Sequence, residues 1–114
     1  MAWRRVVHAG TELTATLQTL LTFATGLTAG GAVVRSLSIA NDAASARLVK
    51  VYLIASGGSA APSNLIFEDT VPANTTMTPI RGPWQGNDGA FVQGISDTAD
   101  SDVGVRLTCA EEVL

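Results

Sequence analysis

Residues 32–54, AVVRSLSIANDAASARLVKVYLI, decide the fold class of this chain. Two segments of period two flank a polar centre. In the first, Val33, Leu37 and Ile39 share one parity and Ser36 and Ser38 take the other. In the second, Val49, Val51 and Leu53 alternate with Lys50 and Tyr52. Successive side chains of a strand point to opposite faces, so this alternation predicts two β-strands, each with one buried face. Between them, Asn41-Asp42-Ala43-Ala44-Ser45 supplies Asn, Asp and Ser, which tolerate tight turns. The stretch therefore predicts a β-hairpin in the middle of one sheet, with Val33, Leu37, Ile39, Val49, Val51 and Leu53 towards the core.

Working outward, residues 1–10 read as an N-terminal arm in which Trp3, Val6 and Val7 are possible anchors, and residues 11–114 as a single β-sandwich domain. Residues 11–24, TELTATLQTLLTFA, fit a strand through Leu13, Ala15, Leu17, Leu21 and Phe23. They also fit a helix through Leu13, Leu17, Leu20, Leu21 and Ala24. The threonines favour the strand, because β-branched side chains lose rotamer freedom in helices. TGLTAGG, residues 25–31, is a turn cluster. Downstream come a Gly/Ser/Ala/Pro loop at 55–64, a short strand at 65–67, a turn at 71–76 and a strand at 77–80. A long turn at 81–89 follows, then strands at 90–96 and 103–110. In the last, Val103, Val105, Leu107 and Cys109 alternate with Gly104, Arg106 and Thr108, which makes Cys109 a core residue. Seven or eight short strands with turn signals between them predict an all-β fold, an antiparallel β-sandwich or jelly roll.

The bulk numbers narrow the function classes. A chain of 114 residues suits one domain and buries roughly 65% of its unfolded surface, enough for a core without staples. One cysteine excludes an internal disulfide. Only 15% of residues are charged against 46% hydrophobic, which suggests that part of the surface is covered by copies of the chain or by a partner. A net charge of −3 argues against nonspecific nucleic-acid binding, since that needs clustered Lys and Arg to neutralise phosphates. The basic pair Arg4-Arg5 reads as a solvated or subunit-facing feature. No run reaches the ~18 apolar residues that span a membrane. MAWRRVVHAG lacks the apolar h-region of a signal peptide, so the chain is expected to stay soluble where it is made.

No catalytic constellation emerges. His8, the only histidine, has no partner for a nucleophile relay or a metal cluster. Ser56, Ser59 and Ser63 sit in a loop without a base. Gly57-Gly58-Ser59 lacks the lysine and the strand–helix context of a phosphate cradle. Asp97, Asp100 and Asp102 begin a Ca²⁺ ligand set but lack EF-hand spacing and a closing bidentate Glu, which favours a solvated turn. Asn74-Thr75-Thr76 fits the glycosylation pattern and is read as a turn. Trp84, in a Gly/Pro-rich loop, has three readings: it caps one end of the sandwich, anchors a subunit interface, or stacks on a sugar ring. The expectation is a non-enzymatic protein without cofactor or metal, with Trp3, Arg4, Arg5 and Trp84 as candidate interface residues.

The linear order of motifs resembles small β-sandwich proteins encoded in bacteriophage structural-gene clusters. There a "(V/I)RSISIxN" strand pairs with a "VxLYLVPSGG" strand, followed by an "IPANxT" turn, a "GP" turn, a "GDxIxA" strand and a final strand. The matching pieces here are residues 34–41, 49–58, 71–76, 82–83, 87–95 and 103–111. GNDGAFVQG replaces the simpler GDxIxA, and Trp84 is added. The resemblance implies a virion structural protein made in the host cytoplasm: a head-decoration, neck or tail-associated component. Its partners would be copies of itself and other virion proteins of capsid, neck or tail, with no nucleic acid and no membrane. The alternative is a module of a phage tail or capsid that recognises a host-surface glycan. The resemblance carries no catalytic residues.

Overall fold

Strand β9 (Val103–Val113) runs between β1 (Ala2–Leu13) and β3 (Leu27–Asn41), antiparallel to both. Its alternation explains its place: Val103, Val105, Leu107 and Cys109 are all sequestered from solvent on one face. The computed structural model describes residues 2–79, 83–99 and 102–114. On its other side β3 pairs with two short strands, β6 (Thr75–Met77) near its end and β7 (Trp84–Gly86) near its middle, which completes a five-stranded sheet. The second sheet has the order β2 (Gln18–Thr22), β8 (Phe91–Ser96), β4 (Arg47–Ile54), β5 (Leu65–Val71). A 3-10 turn, Pro62–Asn64, leads into β5. The two antiparallel sheets pack as an all-β sandwich whose core joins Leu37, Ile39, Val105 and Leu107 to Val49, Val51, Val71 and Val92. Apolar side chains from the facing sheet surfaces lose their contact with water there, which is the main favourable term in folding.

The expected hairpin is corrected. Its two strands exist, but β3 belongs to the five-stranded sheet and β4 to the four-stranded one, so the polar segment between them is a crossover from sheet to sheet. Both edges of β3 are already occupied, by β9 on one side and by β6 and β7 on the other. Asn41 fixes the crossover. Its buried Nδ2 donates to the carbonyls of Ser45 and Val71 at 3.0 Å and of Pro72 at 3.2 Å, while its Oδ1 accepts from the Ala43 N–H at 2.9 Å. Facing sheets share one core, so the period-two pattern is identical whether the two strands pair or face each other. Periodicity reports which side is buried, not the neighbour.

Two bulges re-aim side chains. In β3, Val34 opposes Cys109 and Ser36 opposes Thr108, which leaves Arg35 as the extra residue. Val34 thereby joins Leu37 and Ile39 in the core, while Val33 is buried outside that cluster and Leu53 is only half-buried. In β1 the register against β9 shifts between His8 and Thr11, where Gly10 takes a φ of +112° that favours glycine. Residues 2–10, expected as an arm, are thus the first part of β1, and the division at 10/11 falls at its bulge. Residues 11–24 form neither one strand nor a helix: β1 ends at Leu13, a turn follows, and β2 begins at Gln18. Leu20 rather than Leu21 is buried because the β2–β8 register shifts between Thr19 and Leu21, and Leu17 in the turn is exposed.

Candidate interaction surfaces

Of the four candidate interface residues, Trp3, Arg4 and Arg5 share strand β1. Trp3 opposes Glu112 on the outer side of the five-stranded sheet and is 51% exposed. The β3 bulge turns Arg35 towards it, with the guanidinium carbon 5.8 Å from the ring centroid. That is cation–π range, contributing about 0.5–1 kcal/mol at an exposed site. Together with Thr108 and Ala110 these side chains line a shallow hollow. Arg4 borders the same hollow and also reaches Glu111. Its Nε donates to Glu111 Oε1 at 2.7 Å, and Glu111 Oε2 accepts from the Ala24 N–H at 2.6 Å. The Glu111 side chain is 5% exposed and that of Arg4 56%. A carboxylate is costly to bury unless it is paired and hydrogen-bonded. Arg4 and the Ala24 N–H supply those partners, joining β1, the β2–β3 connection and β9. Arg4 is therefore committed within the chain. Arg5 opposes Ala110 in β1, and its side chain lies outside the described part of the structure.

Trp84 lies in β7 rather than in a turn and opposes Val34. It is half-buried and packs on the core. Its remaining surface lines an open groove of about 700 Å³ with Leu53, Leu65, Ile66, Asn64 and Asn87. Asn87 Oδ1 accepts from the Gly30 N–H at 2.9 Å, which ties the groove rim to β3. Trp3 and Trp84 stand on opposite faces of the same sheet with β9 and β3 between their strands, about 14 Å apart at the usual strand spacing. The fold does not bring them into one site. Arg81 and Gly82 lie outside the described residues.

The residues weighed for chemistry stay apart. Asp97 accepts from Thr98 Oγ1 at 3.1 Å, its own N–H donates to Leu48 O at 3.0 Å, and Asp102 O accepts from the Asp42 N–H at 2.9 Å. Asp100 lies outside the described residues. Among the described residues no three His, Cys, Asp or Glu side chains gather as metal ligands would. Cys109 is fully buried. Burial, with a smaller contribution from the Glu111 charge, pushes its thiol pKa up to about 12, so it is a protonated core side chain. Arg35 and Glu111 were not singled out from the sequence. The only signal for Glu111 was that it continues the inward parity of Val103 to Cys109. Arg35 had none, since a bulge leaves no mark in a single sequence. Comparison with protein-family models, with curated proteins and with solved structures returned no match.

Proposed function

We propose that this chain is a non-enzymatic structural component of a bacteriophage particle: a head-decoration, neck or tail-associated protein that packs as a symmetric oligomer with copies of itself and with other virion proteins. The observation that carries the reading is the series of segments resembling phage β-sandwich proteins, taken with where they lie. Residues 34–41 fall on β3, 49–58 on β4 and the loop after it, 71–76 on the β5–β6 turn, and 103–111 on β9 of a two-sheet sandwich. Low charge and open strand edges at β1 and β5 add support, since symmetric assemblies use such surfaces. The test is quantitative mass spectrometry of purified particles. The protein is expected at a fixed copy number per particle. Its absence from particles, together with a strictly monomeric state in solution, overturns the proposal.

A second reading, recognition of a host-surface glycan, has one specific observation in its favour. Trp84, Asn64, Gln85 and Asn87 line the same open groove, an aromatic face beside planar amides that can hydrogen-bond hydroxyls. It requires saturable binding to host polysaccharide that disappears in Trp84→Ala. A flat glycan screen eliminates it.

A further inference from the structure

We infer that the hollow between Trp3 and Arg35 binds an acidic sugar, a ring that carries a carboxylate, such as a uronate residue of a polysaccharide. The site lies on the outer side of the five-stranded sheet, away from the Trp84 groove, so it goes beyond both readings above. The argument starts from the β3 bulge. By strict alternation residue 35 would share the inward side of Leu37 and Ile39. The bulge brings its guanidinium over the Trp3 ring instead, 5.8 Å from the centroid. A bulge interrupts the ladder, and such irregularities recur beside sites where they re-aim a side chain.

Charge points to an external carboxylate. Arg35 forms no ion pair with any described residue, although two glutamates lie on the adjoining β9. Both acids are held by internal donors. Glu111 takes Arg4 and the Ala24 N–H, and Glu112, which opposes Trp3, accepts from Thr28 Oγ1 at 2.7 Å. Arg4 adds a second guanidinium at the rim of the hollow. Its Nε is bound to Glu111, but its two terminal nitrogens donate to no described residue. A guanidinium offers paired N–H groups that match the two oxygens of a carboxylate.

Shape points to a ring. The indole is half exposed, and beside it Thr108 and Ala110 are small, which leaves a concavity of about 460 Å³. A pyranose can lay its C–H face on the indole and meet the Thr108 hydroxyl with one of its own. Nucleic acid fits less well, because it needs a track of cations along successive phosphates and the chain carries a net −3. A protein partner anchored by Trp3 would take the indole into its own pocket, whereas here the indole walls a concavity of this chain. A single ring in so shallow a site should bind at about millimolar Kd, and repeated copies on a polysaccharide raise the avidity.

Amide and indole NMR of the whole chain, titrated with sodium methyl glucuronide, tests this. Saturable shifts are expected at the Trp3 indole N–H and at the amides of Thr108 and Ala110. Neutral methyl glucoside should bind at least tenfold more weakly. Arg35→Gln and, independently, Trp3→Ala should weaken glucuronide binding by about tenfold or more with unchanged far-UV circular dichroism. Arg106→Gln removes an equal charge from the same sheet outside the hollow and should leave binding intact, as should Trp84→Ala, which keeps this site distinct from the Trp84 groove. No shift at tens of millimolar glucuronide overturns the assignment. So does a folded Arg35→Gln protein that binds like wild type, or an Arg106→Gln loss as large as that of Arg35→Gln. Sodium acetate or a short Asp/Glu-rich peptide that binds the same residues as tightly as glucuronide also overturns it, in favour of a bare carboxylate site or a protein partner.

Discussion

Asn41 is the residue whose loss should be felt most at the crossover between sheets. Its side chain is buried and spans the end of β3, the crossover and the β5–β6 turn. The two Nδ2 protons serve three carbonyls and Oδ1 serves one N–H, so Asn41→Ala removes about three hydrogen bonds. At about 1 kcal/mol each the loss is about 3 kcal/mol, and the stranded Ala43 N–H and Val71 carbonyl add to it. Unfolding entropy of about 2.1 cal/mol/K per residue over 114 residues gives about 240 cal/mol/K, so Tm should fall by roughly 12 °C. Asn41→Asp sharpens the test. It keeps the size of the side chain but aims a carboxylate oxygen at the carbonyls of Ser45, Val71 and Pro72. At neutral pH it should be at least as unstable as the Ala variant. Thermal melts by circular dichroism measure both, with urea titrations checking that m is unchanged. A fall of less than about 4 °C in Asn41→Ala, or an Asp variant more stable than Ala, refutes the clamp.

The raised thiol pKa of Cys109 predicts a stability change in alkali. Above the unfolded pKa near 9 the unfolded chain releases the proton while the folded chain keeps it, so stability is full below pH 9 and falls towards pH 12 by about 1.4 kcal/mol per unit. Urea midpoints for wild type and Cys109→Ala should diverge in slope over that window; parallel slopes rule the effect out. Ser96 Oγ is buried with no hydrogen-bond partner among the described residues, so Ser96→Ala should be neutral or raise Tm, and a loss beyond about 1 kcal/mol would reveal an unrecognised bond. Glu111→Gln replaces one acceptor oxygen with an NH₂ that faces a donor, Arg4 Nε or the Ala24 N–H. It should cost about 1–3 kcal/mol in a chemical melt, and Arg4→Met should cost a similar amount by stranding the carboxylate. Wild-type stability in either variant removes the assigned role of the carboxylate.

Local pattern accounts for much of this molecule. The alternation of residues 103–109 placed Val103, Val105, Leu107 and Cys109 in the core, and they are there. The Trp84 loop was read as a turn, and its three-residue strand is shorter than periodicity can detect. Two apolar parities in residues 47–54 were visible as letters. Their meaning was hidden, because nothing in the chain says whether the second face meets a sheet, a partner or water.

What the sequence determined by itself is the all-β class, most strand positions and the inward side of β4 and β9, since a side-chain period of two follows from backbone geometry alone. Only the tertiary structure decided which strands are neighbours. It separated the two strands of residues 32–54 into different sheets, made residues 2–10 the outer partner of β9, and set Trp3 and Trp84 on opposite faces. Pairing depends on contacts between residues far apart in the chain, and a bulge of one residue reverses which side chains face the core. Local periodicity carries no record of either.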